Sequence, residues 1–355
     1  MSLAQGEEIM QTQKEERFSS IDGLRAFSAV GILVMHVRME SKYEMEGLVF
    51  DKIIPSFTHL TLLFMMISGC CMCCGYYEKI KENRISITEF YSRRYQRIWP
   101  YFAILVCLDL LMGFSKETLM EAFADLTLVF ALLPNFRFSV LGVGWTLGII
   151  FLFYMLFPFF VFLLKDKKTA WFAFAVAVVY QLVCVSYFMD SAHVVEGFRV
   201  KLNFLYCSVY FLAGGLIYLY REVIMKWMAK LRYVVMILCF VVWFGYYFVR
   251  LPEVTYGIWH LLLFSLMLMY AIGTQGKILN NKMTHFLSDI SMEIYLCHFG
   301  VLRVADKLGI RYILGKGIWS YLVTTLFVFI GAVIFSVCAK RVLKAVDKKL
   351  HTTKK

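Results

Sequence analysis

The stretch WTLGIIFLFYMLFPFFVFLL, residues 145–164, holds twenty consecutive side chains without a charge. A helix rises about 1.5 Å per residue, so about twenty apolar residues cross a hydrocarbon core about 30 Å thick. Comparable stretches recur along the 355-residue chain, of which 60% is hydrophobic and only 17% charged. Soluble domains average about 25% charged residues. The sequence therefore excludes an ordinary soluble enzyme and predicts an all-α integral membrane protein.

The apolar stretches predict about ten transmembrane helices in a single bundle, with no room for a second, soluble domain. We expect a cytoplasmic N-terminal tail at 1–20, a transmembrane domain at 21–340 and a basic cytoplasmic tail at 341–355. A shorter apolar stretch at 119–133 predicts a re-entrant or interfacial helix. The predicted spans, each uncertain by several residues, are 21–39, 56–76, 95–114, 143–164, 169–188, 202–219, 233–249, 255–272, 286–304 and 317–340.

The distribution of positive charge predicts the orientation in the membrane. The chain has 37 Lys and Arg against 25 Asp and Glu, a net charge of +12. With the N-terminus in the cytoplasm, 24 of the Lys and Arg residues fall in cytoplasmic segments and 11 in outer loops. Cytoplasmic loops of membrane proteins carry such an excess, so we expect both termini inside. The excess then indicates contact with anionic membrane lipids, and no nucleic-acid partner is expected.

Ionisable side chains interrupt the first predicted span, among them Asp22, Arg25 and His36. Arg25 and His36 are eleven residues apart, which is about three helical turns and a rise of about 16 Å, so they share one stripe. Asp22 lies three residues before Arg25, close enough to pair with it. The pattern fits a structural ion pair with an interfacial histidine. It fits equally an anion site at the cytoplasmic mouth with His36 as a general base deeper along the wall.

A second basic cluster, SRRYQRIWP at 92–100, begins the third predicted span. On a helix Arg97 neighbours both Arg93 and Arg94, and three crowded guanidiniums favour an anion that joins them. Planar guanidinium groups bind phosphate oxygens in pairs, which makes this cluster a candidate phosphate site. The alternative is an ordinary cytoplasmic cluster in contact with lipid phosphates.

The ninth predicted span, LSDISMEIYLCHFGVLRV, is too polar to face lipid on every side. A buried hydrogen-bond network between helices and the lining of a substrate cavity are both compatible with it. Asp109, in the middle of the third span, is a candidate partner for one of the cations, and Trp145 could approach the same space. One face carries Ser291, Tyr295 and His298, and another carries Asp289, Glu293, Gly300 and Arg303.

The cysteines and glycines carry weaker signals. Most of the ten cysteines lie in apolar stretches, which indicates small buried side chains and no disulfide framework. The four at positions 70, 71, 73 and 74 have no further ligand pair nearby, so we expect no metal site. Patterns of serine hydrolases, zinc proteases and nucleotide-binding loops are absent from the sequence.

Taken together, these motifs resemble the acyltransferase-3 family, the bacterial multi-pass membrane O-acyltransferases. They follow one another in the family's order and at its usual spacing over nearly the whole chain. The segments that carry the resemblance are IDGLRAFSAVGILVMH at 21–36, LFMMISG at 63–69, RRYQRIWP at 93–100, ISMEIYLCH at 290–298 and, in part, WTLGIIFLFYMLFPF at 145–159.

The resemblance implies transfer of an acyl group, usually acetyl, from cytoplasmic acyl-CoA to a hydroxyl of a glycan or a related, lipid-linked acceptor. It implies a location in the bacterial cell membrane, with 21–340 as the acyltransferase domain. Arg25 and His36 match the family's first-span pair, His36 being the expected catalytic residue, and Arg94 and Arg97 match the residues thought to engage the CoA phosphates. We group Asp22 with the first pair and Arg93 with the second.

One position departs from the family pattern, because many members carry Glu where this chain has Ile150. Ile150 at this position is compatible with a different acceptor. It is also compatible with an inactive protein that serves as a membrane scaffold. A transporter or flippase would use the same intramembrane charges as a substrate pathway. Against that class, the sequence contains no repeated halves and no matched pair of broken spans.

Overall fold

A computed structural model describes residues 18–128, 130–132, 142–188, 193, 200–249 and 252–352. Within these ranges the chain is helical and contains no β-strand. The helices are α1 (Ser19–Met39), α2 (Val49–Lys81), α3 (Ile87–Met112), α4 (Lys116–Thr127), α5 (Trp145–Leu163), α6 (Lys167–Val183), α7 (Phe204–Leu219), α8 (Arg221–Phe248), α9 (Glu253–Gly273), α10 (Lys282–Asp289), α11 (Ser291–Lys307) and α12 (Ile318–Thr352).

Seven of these helices are long and apolar enough to cross a membrane, judged by length and composition over the described residues. They are α1, α2, α5, α6 with its extension to Phe188, α8, α9 and α12. The other predicted spans are helical too, in α3, α7 and the α10–α11 segment, but they are shorter or more polar. The all-helical membrane class is confirmed. The count of about ten spans and the orientation of the termini stay predictions.

The ninth predicted span is not one helix, because it is broken at Ile290. The φ and ψ angles of this residue, −117° and 13°, leave the helical region. The Ser291 hydroxyl donates to the carbonyl of Ser288 at 2.8 Å, and the Lys340 ammonium donates to the carbonyl of Asp289 at 2.6 Å. Polar side chains therefore bind the carbonyl groups that the interruption leaves without helical partners.

Two further segments differ from the expected boundaries. The basic segment predicted as a tail from 341 continues α12 as far as Thr352. The apolar stretch at 119–133 overlaps α4, whose twelve residues rise only about 18 Å and are too short to span the membrane. Within α4, Ala122, Ala124 and Asp125 are buried. This helix fits the expected interfacial or re-entrant element.

Side chains just before several helices satisfy their first backbone N–H groups. Ser86 caps α3, Ser115 caps α4 and Asn281 caps α10. The Asp166 carboxylate caps α6 by accepting from the backbone N–H of Thr169 at 2.9 Å. That backbone hydrogen bond holds the pKa of Asp166 below its usual value. These caps fix where the helices begin, between the charged loops and the apolar stretches.

Helix α1 occupies a central place, since it packs against α2, α9, α10, α11 and α12. Helices α2 and α7 approach each other closely. A Cβ atom at Gly69 would lie 2.3 Å from the carbonyl oxygen of Phe211, and one at Gly214 would lie 2.1 Å from that of Met66. Glycine lets the two backbones meet, as at many contacts between membrane helices. Tight packing against α7 fixes the position of α2, and α2 carries part of the candidate site.

Candidate active site on helix α1

His36, near the end of α1, is paired with a second histidine from α11. Its Nδ1 lies 2.9 Å from Nε2 of His298, and the two rings stack with centroids 5.0 Å apart and planes 23° apart. Phe299 meets the His36 ring edge-on at 4.8 Å. His298 is only 1% exposed, whereas His36 is partly accessible. A buried imidazole therefore holds an accessible one in a fixed orientation.

The hydrogen bonds of His298 define which nitrogen of His36 carries a proton. Nδ1 of His298 lies 3.3 Å from the carbonyl oxygen of Ile294, which can only accept, so this nitrogen is the protonated one. In the neutral ring Nε2 of His298 is then an acceptor, and Nδ1–H of His36 donates to it. The lone pair of His36 consequently resides on Nε2, the nitrogen that a general base would use.

Tyr295, one turn before His298, connects α11 to the start of α5. Its hydroxyl lies 2.8 Å from Oγ1 of Thr146 and 3.0 Å from the carbonyl oxygen of Val143. Its ring lies 5.9 Å from that of His298. Trp145 begins α5 next to Thr146 and is partly buried. Tyr295 thus fixes the position of α11 beside the histidine pair.

Asp22 and Arg25 lie at the other end of α1, with different partners from those expected. The Asp22 carboxylate accepts from Oγ of Ser288 and from Nδ1 of His285, each at 2.9 Å. These hydrogen bonds join α1 to α10, whereas the spacing predicted a direct pair with Arg25. Asp22 still lies near Arg25, as do Cys71 and Tyr154. The side chain of Arg25 therefore meets α2 and α5.

Arg94 of α3 approaches the same region as Arg25. Its Nη2 donates to the Tyr76 hydroxyl at 2.6 Å, and its guanidinium lies 4.7 Å from the centre of that ring. The guanidinium also lies 5.9 Å from the centre of the Tyr154 ring. Tyr154 is thus a shared neighbour of Arg94 and Arg25. Guanidiniums from two helices converge there, an arrangement that can bind a phosphate or another anion.

The other two arginines of the basic cluster have further partners. Arg93 is exposed and pairs with Glu89 one turn earlier. It also lies near Tyr76, the hydrogen-bond partner of Arg94, so these two guanidiniums share a neighbour. Arg97 points towards α11, where its Nη1 lies 3.6 Å from Oε1 of Glu293. Arg97 remains 47% exposed and accessible to a ligand.

Glu293 is a buried carboxylate held between two cations. It is 2% exposed, and its Oε1 lies 3.4 Å from the Lys340 ammonium of α12 as well as near Arg97. Its Oε2 makes no hydrogen bond within the described part of the chain. The Tyr101 hydroxyl donates to the backbone carbonyl of the same residue at 3.1 Å. Glu293 thus links α3, α11 and α12 near the basic cluster.

Asp109 has the kind of partner that the sequence predicted. Its carboxylate forms an ion pair with Arg303, joining α3 to α11. Ile150, at the position where many family members carry Glu, packs against the apolar core. Among the described residues no three His, Cys, Asp or Glu side chains gather as metal ligands would, and all ten cysteines are free.

Sequence reasoning missed several contributors to these clusters. Tyr76, Tyr154 and Lys340 become neighbours of the predicted arginines and of Glu293 only through the packing of five helices, α2, α3, α5, α11 and α12. For Tyr154 a signal was present, since it is a hydroxyl-bearing side chain within a segment dominated by Phe, Leu and Ile. No such signal marked Lys340, because basic residues are common at the end of an apolar helix.

Comparison with protein families matches residues 18–341 to the acyltransferase domain of the acyltransferase-3 family. The match covers nearly the whole chain, and the protein belongs to this family. Family membership together with the seven apolar helices indicates a membrane acyltransferase. Comparison with curated proteins finds no match, and comparison with solved structures finds none either.

Proposed function

We propose that the protein is a membrane O-acyltransferase that uses acyl-CoA, most simply acetyl-CoA, as donor. The acceptor is a hydroxyl group of a cell-envelope glycan or of a lipid-linked relative. The protein would lie in the bacterial cytoplasmic membrane with both termini inside. One observation supports the proposal: α1 bears Arg25 near one end and the paired imidazole of His36 about 16 Å along its length.

In this mechanism the phosphates of CoA bind at the Arg94 end, with Arg25 beside them and Arg97 within reach. The pantetheine arm extends along α1 towards His36. Convergent guanidiniums suit phosphate, and aromatic neighbours such as Tyr154 and Tyr76 hold them in place. Asp22 acts at a distance by fixing α1 against α10.

The chemical step assigns His36 as general base. Its Nε2 takes the proton of the acceptor hydroxyl while the oxygen attacks the carbonyl carbon of the thioester. The carbon–sulfur bond then breaks, and the CoA thiolate leaves with the proton returned by His36. His298 acts as a positioning residue, because its acceptor nitrogen keeps the proton of His36 on Nδ1. No metal enters this scheme.

Calorimetric titration with acetyl-CoA tests the donor site. We expect saturable binding to the purified protein and its loss in the R94A/R97A double variant. The matched control is R232A, which removes an exposed arginine that hydrogen-bonds to its neighbour Tyr233. Folded protein that binds no acyl-CoA would contradict the proposal. Substrate flux independent of acyl-CoA would favour a transporter.

A separate assay tests the catalytic residue. Membranes that contain the protein are incubated with labelled acetyl-CoA, and label is measured in the lipid and glycan fractions. His36→Ala should abolish transfer while calorimetric binding of acetyl-CoA persists, because the base lies far from the phosphate site. Full transfer by this variant would remove His36 from the mechanism.

A further inference from the structure

Two cations from distant parts of the chain flank one buried carboxylate beside the proposed donor site. Oε1 of Glu293 lies 3.6 Å from Nη1 of Arg97 on α3 and 3.4 Å from the ammonium of Lys340 on α12. Because both distances share this oxygen, the two cationic nitrogens are no more than about 7 Å apart. Arg97 and Lys340 thus form a cationic pair, although they are far apart in the sequence.

This cationic pair carries more positive charge than Glu293 neutralises, since two cations face one carboxylate. The side chain of Arg97 is 47% exposed and that of Lys340 is 24% exposed, whereas Glu293 is only 2% exposed. The cations therefore reach the surface, and the carboxylate that holds them does not. An anion that approaches from the surface meets the positive charge first.

Both cations retain hydrogen-bond donors for such an anion. The distance from Arg97 to Glu293 exceeds the hydrogen-bond range, and this guanidinium donates no other hydrogen bond to a described residue. Lys340 donates to the carbonyl of Asp289 at 2.6 Å, and an ammonium has three hydrogens. One phosphate group, with hydrogen bonds of about 2.8 Å on each side, can reach both nitrogens at their separation.

The cationic pair lies next to the guanidinium already assigned to the phosphates of CoA. Arg97 follows Arg94 by three residues, so their side chains leave α3 about 60° apart and about 4.5 Å along its axis. Arg94 meets Tyr76 of α2 and Tyr154 of α5, whereas Arg97 is directed towards α11. The basic surface therefore consists of two adjacent clusters.

The structure of CoA matches these two clusters. Its ribose bears a diphosphate on the 5′ carbon, which continues into the pantetheine arm, and a separate phosphate on the 3′ carbon. The arm must run along α1 to His36, so the diphosphate belongs beside Arg25 and Arg94. The 3′-phosphate then falls to the second cluster. As a monoester it carries a charge of about −1.5 to −2 at pH 7, which suits a pair of cations.

We propose that Lys340 and Arg97 bind the 3′-phosphate of the acyl-CoA donor, and that the protein thereby selects CoA thioesters over thioesters that lack this group. The inference rests on the proposed function, because it concerns the same donor. It adds Lys340, a residue of the last helix, to a site otherwise built from α1 and α3.

Calorimetric titration of the full-length protein in lipid-free detergent compares acetyl-CoA with acetyl-dephospho-CoA, which lacks only the 3′-phosphate. We expect acetyl-dephospho-CoA to bind about tenfold or more weakly, a difference of about 1.4 kcal/mol. Equal binding of the two thioesters would overturn this inference and leave the acyltransferase proposal standing. If neither thioester bound to folded protein, the proposed function would fail and this inference with it.

One variant locates the 3′-phosphate on α12. Lys340→Gln removes the charge and keeps a donor for the carbonyl of Asp289. Lys344→Gln, at an exposed position one turn later, is the matched control. We expect only Lys340→Gln to weaken acetyl-CoA binding about tenfold, with binding of acetyl-dephospho-CoA unchanged. Equal effects of the two variants would indicate a general attraction between charges and would refute the assignment.

Arg97→Gln repeats the measurement from α3 and decides the question if Lys340→Gln does not fold. It should weaken binding of acetyl-CoA more than binding of acetyl-dephospho-CoA. A folded variant that keeps the full preference for acetyl-CoA would overturn the inference.

A membrane phospholipid offers the same phosphate chemistry, and the same variants distinguish it. If a lipid occupied the cationic pair, the two thioesters would bind equally to the wild-type protein. Short-chain phosphatidylglycerol would then bind less tightly to Lys340→Gln than to Lys344→Gln. That combination of results would overturn the assignment of the 3′-phosphate.

Discussion

The hydrogen bond between His36 and His298 decides what His36 can do. Because His298 offers an acceptor nitrogen, His36 keeps its own proton on Nδ1 and presents the lone pair of Nε2. A buried carboxylate in place of His298 would instead stabilise the positively charged imidazolium. In the proposed mechanism this neutral partner lets His36 take a proton from the acceptor and return it to the leaving thiolate.

The role of His298 can be separated from a purely structural one. His298→Leu should lower kcat for acyl transfer by about 10²-fold, because His36 loses the acceptor that fixes its tautomer. KM for acyl-CoA should not change, since the phosphate site is distant. His298→Gln, whose amide oxygen can accept from His36, should recover part of kcat. Measured kcat and pH profiles that are the same for wild type and His298→Leu would contradict this role.

The ion pair between Asp109 and Arg303 makes a different kind of residue-scale prediction, one of stability. Asp109 is 11% exposed, and Asp109→Ala would leave Arg303 without this partner. We expect a loss of about 1–3 kcal/mol in the free energy of unfolding. The exchanged pair D109R/R303D should recover part of it in thermal unfolding. A double variant no more stable than D109A would show that the pair contributes little.

At the scale of elements, the contact between α2 and α7 depends on backbone proximity. Gly69 and Gly214 each face a carbonyl oxygen of the opposite helix with no room for a Cβ atom. The packing of this pair also sets the position of Tyr76, which follows on α2 and holds Arg94. A change in helix separation should therefore affect both stability and the basic end of the site.

Two alanine substitutions on α2 test this contact. Gly69→Ala should destabilise the protein by about 1–3 kcal/mol, because α2 and α7 must move apart. Gly75→Ala is the matched control, since nothing lies within 4 Å of its Cβ position. Thermal unfolding in detergent compares the two. Equal unfolding temperatures for both variants would show that the helices separate without cost.

At the scale of the whole molecule, orientation determines which end of α1 lies at the cytoplasmic face, where the proposed acyl-CoA donor would bind. The concentration of Lys and Arg predicts both termini inside, which places the Arg25 end of α1 at the cytoplasmic face. Epitope tags fused to each terminus should be protected from protease in intact cells and digested after the membrane is opened. Digestion of either tag in intact cells would reverse or disprove the predicted orientation.

Hydropathy predicted the helical class and several boundaries well. Helix α5 spans 145–163 where 143–164 was expected, and α9 spans 253–273 where 255–272 was expected. Charged or capping residues end these apolar stretches, so the physical signal is local. The break at Ile290 was missed, because hydropathy does not change there and the stabilising contact comes from Lys340, fifty residues later.

The candidate site was only partly predictable. His36, His298 and Asp109 were identified because they are ionisable residues within apolar spans. Such residues raise the free energy of a membrane helix unless they have a partner or a function. Their pairing was not predictable, because His36 and His298 are 262 positions apart and meet only when α1 packs against α11. The directions taken by the three arginines likewise depend on neighbouring helices rather than on spacing.

Helix α1 runs from Ser19 to Met39 without a proline or a π-helical turn. Such a helix is stiff along its axis, because every turn is held by its backbone hydrogen bonds. The helix therefore holds Arg25 and His36 at a constant separation along its axis. A ligand that contacts both Arg25 and His36 must therefore span about 16 Å along the helix.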